Sequence, residues 1–444
     1  MILLRPFLSV ALILPLPLSS ALSAQEDLPK NAAAEEAKLL RGVRQLTFEG
    51  RRAGEGYFSH DGTRMVFQSE REPDNPFYQI YLLDLETGDS QRVSPGMGKT
   101  TCAWVHPDDQ RVMYASTHLD PRSVELQNEE LELRASGETR RYSWDYDDHF
   151  DIFAHDLRSG EDRRLTLAKG YDAEGSYSPD GEWIVFSSNR HVYLEPLSEQ
   201  DQQRFELDKA LFLEIYRMRS DGSDVVRLTT ARGYDGGPFF SPDGTKICWR
   251  RFSEDGLTAE VFTMNLDGSD ETQLTQLGAM SWAPYFHPTG EYLIFTTNRH
   301  GFANFELYLV DAAGHNDPVR VTYTGGFDGL PVFSPDGAQL AWTTTRTPDK
   351  QSQIHLGQWD HEAALALLRD SPPRASGDLT TDGGAQRSDA DWSSHQTGPT
   401  ILADDLRKHV HVLASPEFEG RRTGTRGEQR ATQYVADVMA AIGL

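Results

Sequence analysis

Two sets of oppositely charged side chains recur at fixed positions in this sequence and are the residues best suited to binding chemistry. Aspartates end a motif of glycine, an aromatic residue and aspartate before three predicted strands: Asp172, Asp235 and Asp328. Arginines lie ten residues beyond the third position of a repeated turn in four places: Arg71, Arg190, Arg299 and Arg346. Carboxylates and guanidinium groups can hold a charged peptide terminus, and they can also hold one another.

The motifs for covalent or metal catalysis are incomplete. A glycine-x-serine-x-glycine nucleophile elbow does not occur, which disfavours a serine peptidase. The pair His361-Glu362 begins like a zincin helix, but Leu365 stands where the second histidine is required. His409 and His411 are two residues apart and would lie on different faces of a helix. We therefore predict no catalytic residue and no cofactor in this chain.

The net charge of the chain limits the classes of ligand that it can bind. Acidic residues outnumber basic ones by 68 to 43, a formal net charge of −25, which repels phosphate backbones and suits cationic peptides or metal ions. An acidic segment at 144–151 could bind Ca²⁺, but it lacks the glycine and terminal glutamate of a calcium-binding loop. We expect a solvated loop there, with calcium as the alternative, and we expect no nucleic-acid partner.

The repeated turn predicts the elements that position the charged residues. Its first position is serine or histidine and its second is proline in five of six copies. Its third and fourth positions are mostly aspartate and glycine, and the four together suit a tight hairpin connection. A large apolar residue precedes the third turn position by three residues, and an aromatic residue follows it by six. Six copies begin at Ser59, His106, Ser178, Ser241, His287 and Ser334.

Each copy continues into a third strand and a short fourth strand. The fourth strand carries a signature such as Arg227-Leu228-Thr229, in which valine can replace leucine and serine can replace threonine. Only five such signatures follow the six hairpins, and the sixth, Arg44 to Phe48, precedes the first hairpin. An N-terminal strand that completes the last sheet would close the six sheets into a ring without open edges. The sequence therefore predicts an all-β, six-bladed β-propeller over residues 44–360, with insertions near 118–150 and 191–213. Glu199 to Leu213 has helix-forming composition.

These repeats resemble the TolB-type, WD-like propeller repeat. That resemblance implies the architecture and leaves the function open, since propellers serve unrelated roles. Strand direction alternates within a blade, so the loops with the aspartates and those with the arginines emerge on one face. We expect the two sets to form ion pairs between blades; the alternative is a polar mouth that receives a peptide or a partner loop.

The N-terminal residues are typical of an exported protein. Arg5 precedes an apolar run from Pro6 to Leu18 and then small residues, which predicts a signal peptide at 1–24 and an N-terminal segment at 25–43. The run is too short to span a membrane, and we expect a periplasmic or secreted location. Cys102 and Cys248 are expected to be buried thiols and not a disulfide.

The C-terminal residues differ from the repeats. His361 to Asp370 predicts a short helix, and a flexible polar linker is expected up to residue 400. The segment Leu413 to Gly424, followed by a helix with Gln433-Tyr434-Val435, resembles the opening of the di-zinc aminopeptidase domains of the bacterial leucyl aminopeptidase and aminopeptidase Y family. The resemblance covers 403–444, within a predicted start of an aminopeptidase-like domain at 401–444. It implies zinc only in the remainder of such a domain, so no zinc ligand can be assigned here.

Two functions remain open from the sequence. In the first, the propeller docks or gates peptide or protein substrates for an attached zinc exopeptidase domain. In the second, it is a non-catalytic, TolB-like periplasmic adaptor that binds envelope proteins.

Overall fold

The computed structural model describes residues 29–137 and 146–374. After helix α1 (Ala32–Glu36) and strand β1 (Leu40–Gln45), the chain forms six antiparallel four-stranded sheets arranged as consecutive blades. The six-bladed β-propeller is confirmed. The strands of blades 1 to 3 are β2 (Ala53–Phe58), β3 (Arg64–Ser69), β4 (Gln79–Asp84), β5 (Ser90–Arg92), β6 (Thr100–Val105), β7 (Arg111–Ser116), β8 (Asp151–Asp156), β9 (Asp162–Arg164), β10 (Asp172–Tyr177), β11 (Trp183–Ser188), β12 (Glu214–Arg219) and β13 (Val226–Arg227).

Blades 4 to 6 repeat the same order, from an innermost strand to an outermost one. Each innermost strand packs against those of neighbouring blades, and the aromatic residues six positions beyond the turn are buried, as in Phe186, Trp249 and Trp342. The strands are β14 (Asp235–Phe240), β15 (Lys246–Phe252), β16 (Ala259–Asn265), β17 (Thr272–Gln273), β18 (Ser281–Phe286), β19 (Tyr292–Thr297), β20 (Glu306–Asp311), β21 (Val319–Arg320), β22 (Asp328–Phe333), β23 (Gln339–Thr344) and β24 (Gln353–Trp359).

The ring closes through its two ends. Strand β1 pairs antiparallel with β24, with Leu40 opposite Trp359 and Gln45 opposite His355, so β1 is the fourth strand of blade 6. The backbone N–H of Leu46 then donates to the carbonyl oxygen of Ile354 at 2.8 Å. The predicted closure is confirmed, although the strand begins at Leu40 and not at residue 44.

The threonine signature after each fourth strand has a structural explanation. In blade 3 the Thr229 hydroxyl donates to Glu214 Oε2 at 2.5 Å and accepts the N–H of Ile215 at 2.9 Å, while Arg227 donates to Glu214 Oε1 at 2.8 Å. This bond joins the residue that follows the fourth strand to the start of the third strand, and it gives a buried carboxyl a hydrogen-bond partner. The same hydroxyl bond joins Thr47 to Gln353, Ser94 to Gln79, Thr166 to Asp151, Thr275 to Glu260 and Thr322 to Glu306.

The repeated turns also join neighbouring blades. In the turn of blade 3, the Asp180 carboxylate accepts the Ser178 hydroxyl at 2.5 Å and the Glu182 N–H at 3.0 Å. Gly181 adopts φ 73°, and a Cβ there would lie 2.7 Å from the His106 ring of blade 2. Glycine is therefore required both by the turn and by the close approach of the next blade.

The helices lie outside the repeats. Helix α2 (Ser123–Ser136) occupies the first insertion and was not expected, because its sequence is polar and lacks an apolar stripe. Helix α3 (Glu199–Leu207) is shorter than the predicted 199–213, because Asp208 is extended and a 3-10 turn (Lys209–Phe212) follows. Helix α4 (His361–Asp370) is confirmed and buries Ala364 and Leu368 beside Trp359.

Several expectations lie outside the described residues: the signal peptide at 1–24, the linker beyond residue 374, and the aminopeptidase-like segment at 401–444. Within the described residues, no helix is both long and apolar enough to cross a bilayer.

We expect Leu46→Pro to destabilise the propeller more than Leu46→Ala. Both variants lose the leucine side chain, but proline also removes the N–H that bonds to Ile354 at the closure. The difference in the free energy of unfolding should be at least about 1 kcal/mol, measured by urea denaturation. Equal stabilities of the two variants would contradict a closure through this strand.

Candidate functional site

The three predicted aspartates are the first residues of innermost strands and are buried, not exposed in loops. Asp172 binds Arg190 at 2.7 Å and Asp328 binds Arg346 at 2.8 Å, both within one blade. Ion pairs between blades were therefore a wrong expectation: the start of the first strand is the direct neighbour of the end of the second in the same sheet. Asp235 pairs with Arg251 at 2.7 Å, a residue outside the arginine pattern.

Three of the four arginines lie over aromatic rings on the second or third strand of their own blade. Arg190 lies 5.0 Å above the Phe186 ring, Arg346 lies 5.4 Å above Trp342, and Arg71 lies 4.6 Å above Tyr81 and binds Glu49 at 3.0 Å. Such contacts combine cation–π attraction with an ion pair. Arg299 is exposed, and in its blade His300 stacks on Tyr308 instead. A binding role for these seven residues stays a prediction.

Replacing Asp235 with alanine should lower the free energy of unfolding by about 3 kcal/mol, because Arg251 would lose its buried partner and keep only Glu271. The matched control is Arg299→Ala, which removes an exposed side chain and should change stability by no more than about 0.5 kcal/mol. Chemical denaturation measures both variants. An Asp235→Ala protein as stable as the control would show that this pair does not stabilise its blade.

A cavity of ≈ 530 Å³ opens on the propeller axis at the ends of the innermost strands. Every innermost strand has a bulge against its neighbour, and its third residue adopts a left-handed backbone with φ of 49–59°. We call these six residues the bulge ring, and all of them line the cavity. The bulge ring comprises Glu55, Cys102, Glu174, Gly237, Ala283 and Leu330.

The bulge ring is uniform in backbone and unequal in side chains. Blades 1 to 3 contribute Glu55, Cys102 and Glu174, whereas blades 5 and 6 contribute Ala283 and Leu330. The cavity therefore has a polar half and an apolar half. Trp282, Phe305 and Phe327 complete the apolar half.

The glycine of the bulge ring, Gly237, leaves space for the guanidinium group of Arg250 in the cavity. A Cβ at Gly237 would lie 2.3 Å from Arg250 Nη1. Arg250 is buried and donates through Nη2 to Glu174 Oε1 at 2.9 Å, and its Nε has no hydrogen-bond partner among the described residues. Glu174 also accepts the N–H of Gly237 at 2.6 Å and the Ser187 hydroxyl at 3.0 Å.

Aromatic rings close the axis beneath the cavity. Tyr57, Trp104, Phe239 and Tyr285 come from four innermost strands, and their ring centroids lie 4.7–6.3 Å apart. We call this set the aromatic floor. These rings pack against one another across the axis.

Burial raises the pKa of the Glu55 carboxyl to about 7, and the nearby Glu174 carboxylate adds to the rise, against lowering contacts with Cys102, Tyr57 and Arg250. Burial also raises the pKa of the Cys102 thiol well above its ordinary range. The thiol therefore stays protonated at neutral pH. Cys102 and Cys248 are free, as expected.

We expect Glu55→Gln to stabilise the protein more at pH 8 than at pH 5. The folded-state pKa of about 7 lies above the ordinary value of 4.5, so the unfolded chain ionises first and the native protein loses stability as pH rises between these values. The stabilisation should be about 2 kcal/mol larger at pH 8 than at pH 5, measured by denaturant titration. A pH-independent effect would contradict a buried Glu55 carboxyl.

Exposed apolar residues concentrate on the face where the cavity opens. Connections between second and third strands, and between blades, emerge there because strand direction alternates. Phe302 is 85% exposed and Leu207 is 84% exposed, whereas the opposite face carries the charged turns. The apolar rim comprises these two residues with Phe48, Met97, Leu119, Val124, Leu167, Leu194 and Leu257.

One group of described residues has metal-ligand types. Asp120, Asp147 and His149 place one ligand atom each within 4.8 Å of one another in the first insertion. Lys99 Nζ lies 3.5 Å from Asp147, so a cation already compensates this carboxylate. Calcium binding at the acidic segment stays the alternative to a solvated loop, and zinc stays a prediction only for the remainder of the peptidase domain whose opening 401–444 resembles.

A family model matches part of the repeat region. Residues 213–384 match the family model PD40, described as TolB beta propeller domain. The TolB-type repeat is confirmed over this range. Among solved structures, a TolB from Acinetobacter baumannii superposes with a TM-score of 0.45 at 18% identity, over 70% of this chain and 64% of that chain. The tricorn protease gives a TM-score of 0.44 at 16% identity, over 68% of this chain and 26% of that one.

Curated relatives match only in part. An uncharacterized protein of Agrobacterium fabrum, Atu1656, is 33% identical over 119 residues, which are 27% of this chain and 34% of the relative. An uncharacterized peptidase of Bacillus subtilis, YuxL, is 26% identical over 154 residues, 31% of this chain and 22% of the relative. The matched regions thus span about a third and about a fifth of these two relatives.

The sequence analysis did not identify the bulge ring. Its members do lie at one offset, six residues before the third turn position, so the spacing was available. Their residue types range from glutamate to leucine, and only the bulged strands of the folded ring show that they share a cavity.

Proposed function

We propose that this propeller binds a peptide or an extended protein segment in its axial cavity and docks it for an attached exopeptidase domain. One observation carries the proposal: the lining of the cavity breaks the sixfold repeat into a polar half and an apolar half. A repeated contact serves the ring, whereas an asymmetric pocket can recognise one ligand in one orientation.

The groups in the cavity suit binding better than bond cleavage. Glu174 and Arg250 bind each other, so neither is available as a strong general acid or base. The raised pKa of Cys102 keeps it a thiol, which is a poor nucleophile. These two features support binding in the cavity, and we assign hydrolysis to the attached domain.

The apolar rim supports a protein or peptide ligand. Soluble proteins seldom gather exposed apolar residues on one face without a partner for it. Leu167 is 75% exposed and Leu257 is 72% exposed, and both lie in connections at the cavity face. A chain emerging from the cavity would cover part of this rim and gain from its burial.

The attached peptidase is the finer part of the proposal. The resemblance of 401–444 to the opening of a di-zinc aminopeptidase domain supports it, and the partial similarity to a relative named as a peptidase agrees with it. A periplasmic or secreted location follows from the predicted signal peptide. The second candidate, an adaptor that binds envelope proteins, is supported by the TolB-type repeat.

Ala283→Leu should weaken peptide binding at least about tenfold, because it fills the apolar half of the cavity. Leu330 occupies the equivalent left-handed position in blade 6, so the backbone accepts leucine. Binding of a library of unstructured decapeptides to the purified protein is measured by calorimetry. The control, Val226→Ser, alters an outermost strand and should bind like the native protein.

Unchanged binding by Ala283→Leu would exclude the cavity as the peptide site. Chromatography of the bound peptides separates the two candidate functions. For this separation the protein is purified from its natural source, so that any attached domain is present. Release of free amino acids then supports docking for a peptidase, and recovery of intact peptides supports the adaptor.

A further inference from the structure

The polar half of the cavity contains two carboxyl groups that differ in their hydrogen-bond partners. Glu174 is saturated, because Arg250, Ser187, Gly237 and the Tyr234 hydroxyl all donate to it. Glu55 has weaker partners: the Tyr57 hydroxyl at 3.3 Å and the thiol of Cys102. Its carboxyl therefore keeps acceptor capacity for a ligand.

In its ionised form, Glu55 gives the polar half of the cavity a net negative charge. Arg250 compensates Glu174, and no cation of the described residues is paired with Glu55. The other two cations at the cavity have acidic partners of their own, since Arg52 binds Glu70 at 2.6 Å and Lys99 lies 3.5 Å from Asp147. An incoming cation would complete the balance, whereas an anion would be repelled.

The walls also favour a cation. Tyr57, Phe77, Tyr78, Tyr171 and Phe239 line the cavity around the polar half. Aromatic faces attract ammonium groups, and they do so more strongly in sites with little water. The two halves together present a carboxylate with aromatic walls beside an apolar surface.

We propose that Glu55 binds a primary ammonium group of the docked peptide, and that the half of the cavity formed by Trp282, Ala283 and Leu330 receives the adjoining apolar side chain. This inference rests on the proposed function and names its ligand class. The ammonium group can be the amino terminus of the peptide or the side chain of a lysine, and the experiment distinguishes these sources.

The test compares three synthetic probes by calorimetry at pH 7.5: leucyl-phenylalanine amide, its N-acetyl form, and N-acetyl-lysyl-phenylalanine amide. For the native protein, at least one probe with an ammonium group should bind about tenfold or more tightly than N-acetyl-leucyl-phenylalanine amide. Preference for the first probe identifies the amino terminus, and preference for the third identifies lysine.

Glu55→Gln should abolish this preference and leave the affinity for the acetylated leucyl probe unchanged, because glutamine keeps the shape and removes the charge. The matched control, Val226→Ser, alters an outermost strand away from the cavity and should retain the preference. Equal affinity of the native protein for all three probes would overturn the inference and leave peptide docking intact. Binding of none of them would overturn both.

Proton exchange gives a readout that a merely structural Glu55 would not change. Glu55 faces Tyr57, Cys102, Glu174 and Arg250, and an ammonium ligand would favour its ionised form. Binding at pH 6.5 should therefore release a proton, detected as a dependence of the binding heat on the ionisation heat of the buffer. The release should be lost in Glu55→Gln, and proton uptake or no exchange by the native protein would contradict the proposal.

Discussion

The pairing of β1 with β24 is the constraint on which the rest of the structure depends. It makes the last blade from both ends of the repeat region and leaves no innermost strand without two neighbours. A ring of six sheets has a defined axis only when it is closed. The cavity, its aromatic floor and the bulge ring are all set around that axis, so they exist only in the closed ring.

Repetition separates the stabilising interactions from the candidate site. The hydroxyl bond after each fourth strand recurs in all six blades, and ion pairs such as Asp172 with Arg190 recur in several. Each holds one sheet together and pairs a buried polar or charged group with its partner, as a repeated contact should. The bulge ring repeats only its backbone, so its side chains are free to differ and to form an asymmetric pocket.

The polar and apolar halves give the cavity face a consistent chemical character. Among the described residues, Glu55 is an acidic group near the axis without a paired cation, in keeping with the acidic chain as a whole, and the residues of the apolar rim lie in connections on the cavity face. A peptide with one positive charge and neighbouring apolar side chains matches these features together. The same surface would serve a peptidase-associated propeller and an adaptor, because both roles require capture of an extended chain.

The sequence by itself determined the number of blades, the turns, the strand order and the closure near Leu46. These features depend on a local residue spacing that recurs in every repeat. It did not determine that Asp235 pairs with Arg251, nor that the polar helix α2 forms in the first insertion. Only the tertiary structure decided which side chains meet on the axis. Glu55 and Glu174 are remote in sequence and unlike most of their counterparts, and closure of the ring brings them into one cavity.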